Sequence, residues 1–252
     1  MASEKDLAEA WGEAITLPIV PIQTLLIESA RKYPTKIALV CCHQPADHLR
    51  HPRSSSTPPA SPSYLRWTYA QLHSQACLFA SQLHRAGLRK GMCVTAFLHS
   101  GAQLAIALWG TALLGGTFSP INPRLASKAD HVQHMLKIAQ PAVVLVWDAE
   151  MAKGLTNAVG SSLLDSMLLK VVCENDEDDQ TDQLPTSWTT MTHLFAQALP
   201  SYPMPPLKDT KPDMNDLAMV IFTSGTTSLP KGVGHTNATL GAAVRSASQA
   251  LP

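Results

Sequence analysis

Apolar residues in the first half of the chain recur alternately at the period of a helix and at the period of a strand. Ile22, Leu25 and Leu26 follow helical spacing, and this run stops before Pro34. The next stretch, KIALVCC at 36–42, is rich in β-branched residues and is typical of a strand. The change of period is the first indication that helices and strands alternate.

The second predicted helix carries signals at both of its ends. Thr68 and Gln71 have the spacing of a capping box, and Gly87 stands where a left-handed residue would end the helix. Between them runs an apolar stripe made of Leu72, Ala76, Phe79, Ala80 and Leu83. The stripe predicts that one face of this helix is buried.

The alternation continues along the chain. Strands are predicted at CVTAFL (93–98), GTFSPINP (116–123, the edge of a strand followed by a turn), PAVVLVW (141–147), MLLKVVC (167–173) and LAMVIF (217–222). Helices are predicted at GAQLAIALWGTALL (101–114) and behind the capping pair Ser127 and Asp130, with an apolar face of Val132, Met135, Leu136 and Ala139. Strands that alternate with helices predict an α/β fold, with βαβ-type sheets and helices on both faces.

The same pattern divides the chain into four parts. An N-terminal extension at 1–21 precedes a first α/β lobe at 22–173, which contains a Ser- and Pro-rich loop insertion at 43–63. An acidic, proline-rich linker at 174–212 leads to the start of a second lobe at 213–252. The acidic run ENDEDDQTD in the linker could hold a cation, but it lacks the spacing of a calcium loop, which favours a solvated loop.

Charge and cysteine content limit the classes of partner. Nineteen basic and nineteen acidic side chains balance, so no net field would attract nucleic acid or an anionic membrane. Five cysteines without a CxxC pair predict reduced thiols instead of a disulfide framework. The acidic N-terminus lacks a secretory signal and predicts a cytoplasmic protein; the C-terminus has no peroxisomal tripeptide, although a peroxisomal location remains an alternative.

Two other features favour ordinary structure over a special site. Residues 91–123 include no Asp, Glu, Lys or Arg, but Ser100 and Gly101 divide them into pieces shorter than the roughly 20 residues of a spanning helix, so no membrane span is predicted. His131 and His134 lie one helical turn apart, but no further ligand follows at a recognisable spacing. They are therefore interpreted as surface histidines, and no metal site is assigned.

The stretch TSGTTSLPKG at 223–232 is the strongest candidate for chemistry. A turn between two strands would have a similar composition. Gly225 and Gly232, however, allow successive N–H groups to turn inward, and Lys231 adds a positive charge beside Pro230. These features predict a phosphate site. It is not a Walker A loop, because Lys231 is followed by Gly-Val and a predicted strand, which also disfavours an unrelated α/β NTPase.

The motif TSGTTSLPKGV at 223–233 resembles the phosphate-binding signature of the acyl-adenylate-forming superfamily, which includes acyl-CoA synthetases, peptide-synthetase adenylation domains and firefly-type luciferases. The similarity extends backward through WTYAQLHSQACLFASQLHRAGLRKGMCV at 67–94, INP at 121–123 and KIALV at 36–40. The chain is thereby identified as similar to the N-terminal half of such an enzyme, and its fold as the N-terminal part of the acyl-CoA synthetase and luciferase fold.

The resemblance implies a two-step ligase. A small-molecule carboxylic acid would attack the α-phosphate of ATP, bound with Mg²⁺, and release pyrophosphate; the acyl group would then pass to a thiol, most often that of coenzyme A. The residues that match the ATP phosphate-binding motif are Thr223, Ser224, Gly225, Thr226, Thr227, Ser228, Lys231 and Gly232. The catalytic residues are unknown, because the family's C-terminal lysine has no counterpart in this sequence.

The sequence also departs from the family pattern. Ser228 replaces a usual glycine, and Asn237 stands where many members have a histidine beside the acyl pocket. The family's later motifs, which contact adenine and ribose or form the hinge and the lid, have no match in this sequence. A sheet containing LAMVIF would therefore be short of strands and would leave apolar edges exposed. Two hypotheses follow: an acyl-CoA ligase, with a separate chain as one source of the missing half, or a truncated and silent homologue that is a binding module or a non-functional gene product.

Overall fold

The computed structural model describes residues 18–49, 63–173, 184–197, 212–223 and 229–250. The strands are β1 Ile37–Pro45, β2 Tyr64–Thr68, β3 Cys93–Phe97, β4 Thr117–Pro120, β5 Pro141–Val146, β6 Leu169–Val172, β7 Thr189–Thr190, β8 Leu217–Thr223 and β9 Lys231–Thr236. The helices are α1 Ile22–Lys32, α2 Tyr69–Arg85, α3 Ala102–Leu113, α4 Ala129–Ala139, α5 Ala149–Val159, α6 Ser161–Asp165, α7 Met191–Ala196 and α8 Asn237–Ala250, with a 3-10 turn at Pro123–Leu125.

A seven-stranded sheet of order β7-β6-β5-β3-β4-β8-β9 forms the centre of the molecule, and β1 pairs with β2 in a separate antiparallel sheet. Neighbouring strands of the large sheet are parallel except for β8 and β9. The carboxyl ends of β3 to β8 therefore meet at one edge. The strand order reverses beside β3, where β4 lies on one side and β5 on the other, and such an edge is where α/β sheets bind ligands.

Side chains of the central strands are buried on both faces of the sheet, as the near-continuous apolar runs predict. In β5, Val143 and Leu145 belong to the core beneath α2 and α3, while Val144 and Val146 belong to the core beneath α4 and α5. This alternation places helices on both faces. The predicted α/β fold class is confirmed.

Helix α2 forms as its local signals predict. Thr68 and Gln71 make both hydrogen bonds of the capping box. The five predicted stripe residues are all buried. The helix ends at Arg85, and Gly87 follows with a φ of 106°, a left-handed conformation that favours glycine. Its N-terminus, buried face and C-terminus are thus set by adjacent residues.

The predicted linker contains structure that periodicity did not reveal. Its described residues, 184–197, include β7 and α7, and Met191 is fully buried. Phe195 packs edge to face on Phe79, with ring centroids 6.4 Å apart. Trp188 donates a hydrogen bond from Nε1 to Oγ1 of Thr156 at 3.2 Å. Contacts with distant residues therefore order this segment, whereas the acidic run at 174–182 lies outside the described residues.

Two other local predictions are corrected. The predicted loop insertion begins later than 43, because β1 continues to Pro45, and residues 50–62 lie outside the described part of the chain. Helix α4 begins at Ala129 without a side-chain cap, because Oγ of Ser127 instead contacts the carbonyl oxygen of Arg124 at 3.4 Å. Strand β4 lies between β3 and β8, and the predicted turn follows it at Pro123–Leu125.

The segment predicted to start a second lobe, 213–252, contributes β8 and β9 to the same sheet as the first lobe. The division into lobes stays a prediction, but the predicted boundary crosses one continuous sheet. Strand β8 is buried only on alternate residues: Ala218 and Val220 are buried, whereas Leu217 and Ile221 are 42% and 38% exposed.

Along the described ranges, no helix combines the length and the apolar character that a membrane crossing requires. The uncharged segment 91–123 is instead folded into β3, α3 and β4. Most of its residues are buried in the protein.

Candidate phosphate-binding site

The predicted phosphate-binding stretch joins β8 to β9 at the carboxyl edge of the sheet. Thr223 is the last residue of β8 and is the register partner of Lys231, the first residue of β9. Oγ1 of Thr223 lies 3.4 Å from the carbonyl oxygen of Lys231, to which it donates. The structure thus brings together the first residue and the lysine of the predicted site. Ser224, Gly225, Thr226, Thr227 and Ser228 lie outside the described residues.

The lysine of the motif is accessible, whereas the proline before it is not. Thr223 and Lys231 are exposed, and Pro230 between the lysine and Leu229 is buried. The C-terminal end of the stretch is therefore anchored by a buried residue. The Lys231 ammonium group has access to a ligand in solvent.

Helix α4 lies against the beginning of β9. Nε2 of His134 is 3.0 Å from the carbonyl oxygen of Pro230. A Cβ atom on Gly232 would come within 3.0 Å of Cγ2 of Ile138 and 3.3 Å of Cε1 of Phe222. Gly232 is not among the described glycines with positive φ. The reason for glycine at this position is therefore the close approach of a helix to the strand.

The turn that leads into β8 is fixed by polar contacts. Lys90 and Asp216 form a salt bridge of 2.8 Å, and the hydrogen bond from Lys90 lowers the pKa of the Asp216 carboxyl group. Oγ1 of Thr117 donates to the carbonyl oxygen of Leu217 at 2.7 Å. These contacts set the start of β8 relative to β4, and so determine where its carboxyl end lies.

Asn237 lies at the other end of β9 from Lys231, at the start of α8. Its Nδ2 donates to the carbonyl oxygen of Asp213 at 2.9 Å, and its backbone N–H donates to Asp216 at 3.0 Å. Its buried Oδ1 has no recorded partner. In this structure Asn237 therefore closes the turn before β8.

The histidine pair on α4 is not part of a metal cluster. Within the ranges that the structure describes, no group of three His, Cys, Asp or Glu side chains could hold a metal ion. Nδ1 of His131 is buried without a partner, and His134 contacts Pro230. Sequence reasoning missed this contact because the two residues are 96 positions apart. No local spacing connects them.

Known proteins are similar to this chain in sequence. The family model described as AMP-binding enzyme matches residues 26–251. An acyl-CoA ligase of Pestalotiopsis microspora is 26% identical over 225 residues, which cover 84% of this chain and 37% of that protein. Nonribosomal peptide synthetase 2 of Gibberella zeae is 30% identical over 169 residues, which cover 66% of this chain and 3% of that protein.

Solved structures of similar fold cover most of this chain. The anthranilate CoA ligase AuaEII in complex with anthranoyl-AMP has a TM-score of 0.64 at 18% identity. The match covers 88% of this chain and 36% of the AuaEII chain. VinN with 3-methylaspartate has a TM-score of 0.62 at 20% identity, over 92% of this chain and 52% of its own. The chain thus spans about half of the length of these proteins or less. Because the family model matches nearly all of its residues, the chain belongs to the AMP-binding enzyme family.

Proposed function

We propose that this chain holds the phosphates of ATP for an enzyme that activates a carboxylic acid as its acyl-adenylate. The observation that carries the proposal is the pairing of Thr223 with Lys231 at the carboxyl edge of the sheet. There, a lysine and hydroxyl side chains border the TSGTTSLPKG stretch. Membership in the AMP-binding enzyme family supports the same assignment.

The chemistry of the first step explains why a phosphate-binding loop matters. A carboxylate oxygen attacks the α-phosphorus of ATP, the bond to the bridging oxygen breaks, and pyrophosphate leaves with both electrons of that bond. Positive charge and N–H donors around the β- and γ-phosphates stabilise the departing charge. They also hold the α-phosphate in line for attack. Lys231 would supply the charge, and Thr223 with the hydroxyls of residues 224–228 would supply hydrogen bonds.

Mg²⁺ would neutralise part of the phosphate charge when ATP is bound. Because no metal-ligating cluster occurs among the residues whose positions are described, we infer that Mg²⁺ enters as the complex with ATP. The site is compatible with this because Lys231 is exposed at the edge where the nucleotide would lie. No catalytic residue is assigned.

For the second step we propose coenzyme A as the acceptor of the acyl group. The support is the acyl-CoA ligase relative, which is similar over 84% of this chain, whereas the peptide synthetase is similar over 66%. The substrate class is a small carboxylic acid. If the present chain acts as it stands, this proposal needs a partner. The partner would be a separate polypeptide that carries the remaining motifs of the family.

The alternative is a binding module without turnover. Its specific support is the exposed apolar pair of Ile221 on β8 and Val233 on β9, which are register partners and are 38% and 41% exposed. Such a pair is typical of a surface that another polypeptide covers. The two hypotheses differ in whether bound ATP is converted.

Carboxylate-dependent exchange between ATP and pyrophosphate tests the proposal. The purified 252-residue chain, shown by circular dichroism to be folded, is assayed with fatty, aryl and amino acids, with Lys231→Met as the matched control. Exchange by the wild type that the variant lacks would support acyl-adenylate formation and name the substrate class. Binding of MgATP without exchange would favour the binding module, and a folded chain that does not bind MgATP would contradict both phosphate-site hypotheses.

A further inference from the structure

Helix α4 and strand β9 touch at two successive levels. His134 contacts the carbonyl oxygen of Pro230, and Ile138, one helical turn later, lies against Gly232. The helix and the strand therefore run in the same direction through this contact. The contact of His134 with Pro230 lies at the carboxyl edge of the sheet, and Pro230 directly precedes Lys231 in sequence.

The contact at His134 restrains a single peptide unit. The carbonyl oxygen of Pro230 can only accept, so Nε2 of His134 carries the hydrogen and donates it. The peptide bond is planar and trans, so the N–H of Lys231 points away from the direction of that carbonyl group. The proline ring fixes φ at residue 230, and the residue is buried. The remaining freedom of this unit is rotation about ψ of Pro230, which the His134 hydrogen bond limits.

We propose that His134 is a positioning residue that sets the orientation of Lys231 toward a bound phosphate. The inference rests on the proposed function, because it concerns the affinity of the same site. His134 does not touch the nucleotide. It acts by holding the peptide unit from which the Lys231 side chain projects.

The packing of α4 does not depend on this hydrogen bond. Val132, Met135 and Leu136 are fully buried in the core beneath the helix, whereas His134 is only partly buried. Substitution of His134 should therefore leave the helix in place. This separation makes the positioning role testable without unfolding the protein.

The experiment compares His134→Leu, which has no donor, with His134→Gln, whose Nε2 can replace the imidazole donor. His131→Leu is the matched control on the same helix, because no partner is recorded for the buried Nδ1 of His131. Binding of MgATP to the full chain is measured by calorimetry, with thermal denaturation as the test of folding. Amide hydrogen exchange of the peptide 229–236 is followed in the absence of nucleotide.

We expect His134→Leu to weaken MgATP binding about 3- to 10-fold, which corresponds to one net hydrogen bond, and to speed exchange at 229–236. His134→Gln should restore most of both, and His131→Leu should change neither. Lys231→Met is measured in parallel to test the site itself.

Three outcomes would overturn the inference. Unchanged affinity in His134→Leu, alongside reduced affinity in Lys231→Met, would exclude the positioning role and leave the proposed function intact. Equal loss in His134→Leu, His134→Gln and His131→Leu would assign the effect to helix packing. A folded wild type that does not bind MgATP would remove the proposed function and the inference with it.

Discussion

Thr223 and Lys231 face each other as the last register pair of β8 and β9, with the seven residues 224–230 between them. The pair closes a loop at the edge of the sheet where the parallel strands end. A lysine at this position has its backbone fixed by the strand while its side chain is exposed. The arrangement leads to the first prediction.

Replacing Lys231 with methionine should weaken MgATP binding by about 1.5–3 kcal/mol, the usual contribution of a hydrogen bond to a charged group. Methionine has an unbranched side chain of similar length without the ammonium group, so the fold should be unaffected. Calorimetric titration measures the change. Lys153→Met is the control, because Lys153 is also exposed but lies on α5. Equal affinities of the wild type and Lys231→Met would remove this lysine from the site.

Gly110 and Gly154 are both inside helices but should respond oppositely to alanine. A Cβ atom on Gly110 would lie 2.9 Å from Cδ1 of the buried Phe79 and 3.2 Å from the carbonyl oxygen of Ala76. Overpacking of α2 against α3 should lower the free energy of unfolding by about 1–3 kcal/mol. Gly154 has nothing within 4 Å of such an atom, so Gly154→Ala should raise it by about 0.5–1 kcal/mol through helix propensity.

Urea denaturation of the two glycine variants and the wild type gives both values. The two substitutions are chemically identical, so the comparison isolates the surroundings of each glycine. A Gly110→Ala protein as stable as Gly154→Ala would show that α2 and α3 are not in close contact at this point.

Stability should fall as the pH is lowered, partly because of His48. Burial lowers the pKa of His48 below its ordinary value. The side-chain oxygen of Gln103 accepts a hydrogen bond from Gln44. The Nε2 atom of Gln103 therefore faces Nε2 of His48 at 2.7 Å and donates to it, so the imidazole is neutral. The unfolded chain therefore binds the proton at a higher pH than the folded protein does.

The sign follows from this difference in pKa. The contribution of neutral His48 to stability is fully present above the unfolded pKa of about 6.5 and is lost as the pH falls through the folded value. In His48→Gln the decline of the unfolding free energy between about pH 7 and pH 5 should be shallower than in the wild type. Urea denaturation of both proteins at several pH values across this range measures the two slopes. Identical slopes would exclude His48, and His73, whose pKa burial also lowers, would then be the next candidate.

Alkylation of the native protein should begin at Cys42. Its side chain is exposed on β1, whereas burial raises the pKa of Cys77 and of Cys93 to about 11 and so suppresses the reactive thiolate. Brief treatment with iodoacetamide near neutral pH, followed by peptide mass spectrometry, gives the order of modification. Full labelling of all five cysteines should require urea. Early modification of Cys93 would indicate that β3 opens readily.

Helix α2 could be predicted in detail, because its signals are local. The capping pair, the apolar stripe and the terminal glycine act between residues a few positions apart, and each is found as expected. The predicted linker shows the opposite case. Helix α7 is six residues long, and Phe195 is ordered by Phe79, more than a hundred positions away in sequence. A helix this short is stabilised by tertiary packing, which no periodicity shows.

The sequence by itself determined the α/β class, the order of the main elements and the chemical character of the 223–232 stretch, because period, capping and motif are properties of neighbouring residues. Only the tertiary structure decided that β8 lies beside β4, that Thr223 pairs with Lys231, and that His134 reaches Pro230. These relations depend on strand order and helix placement. Both follow from how the whole apolar surface is buried, a long-range balance that no single stretch of sequence contains.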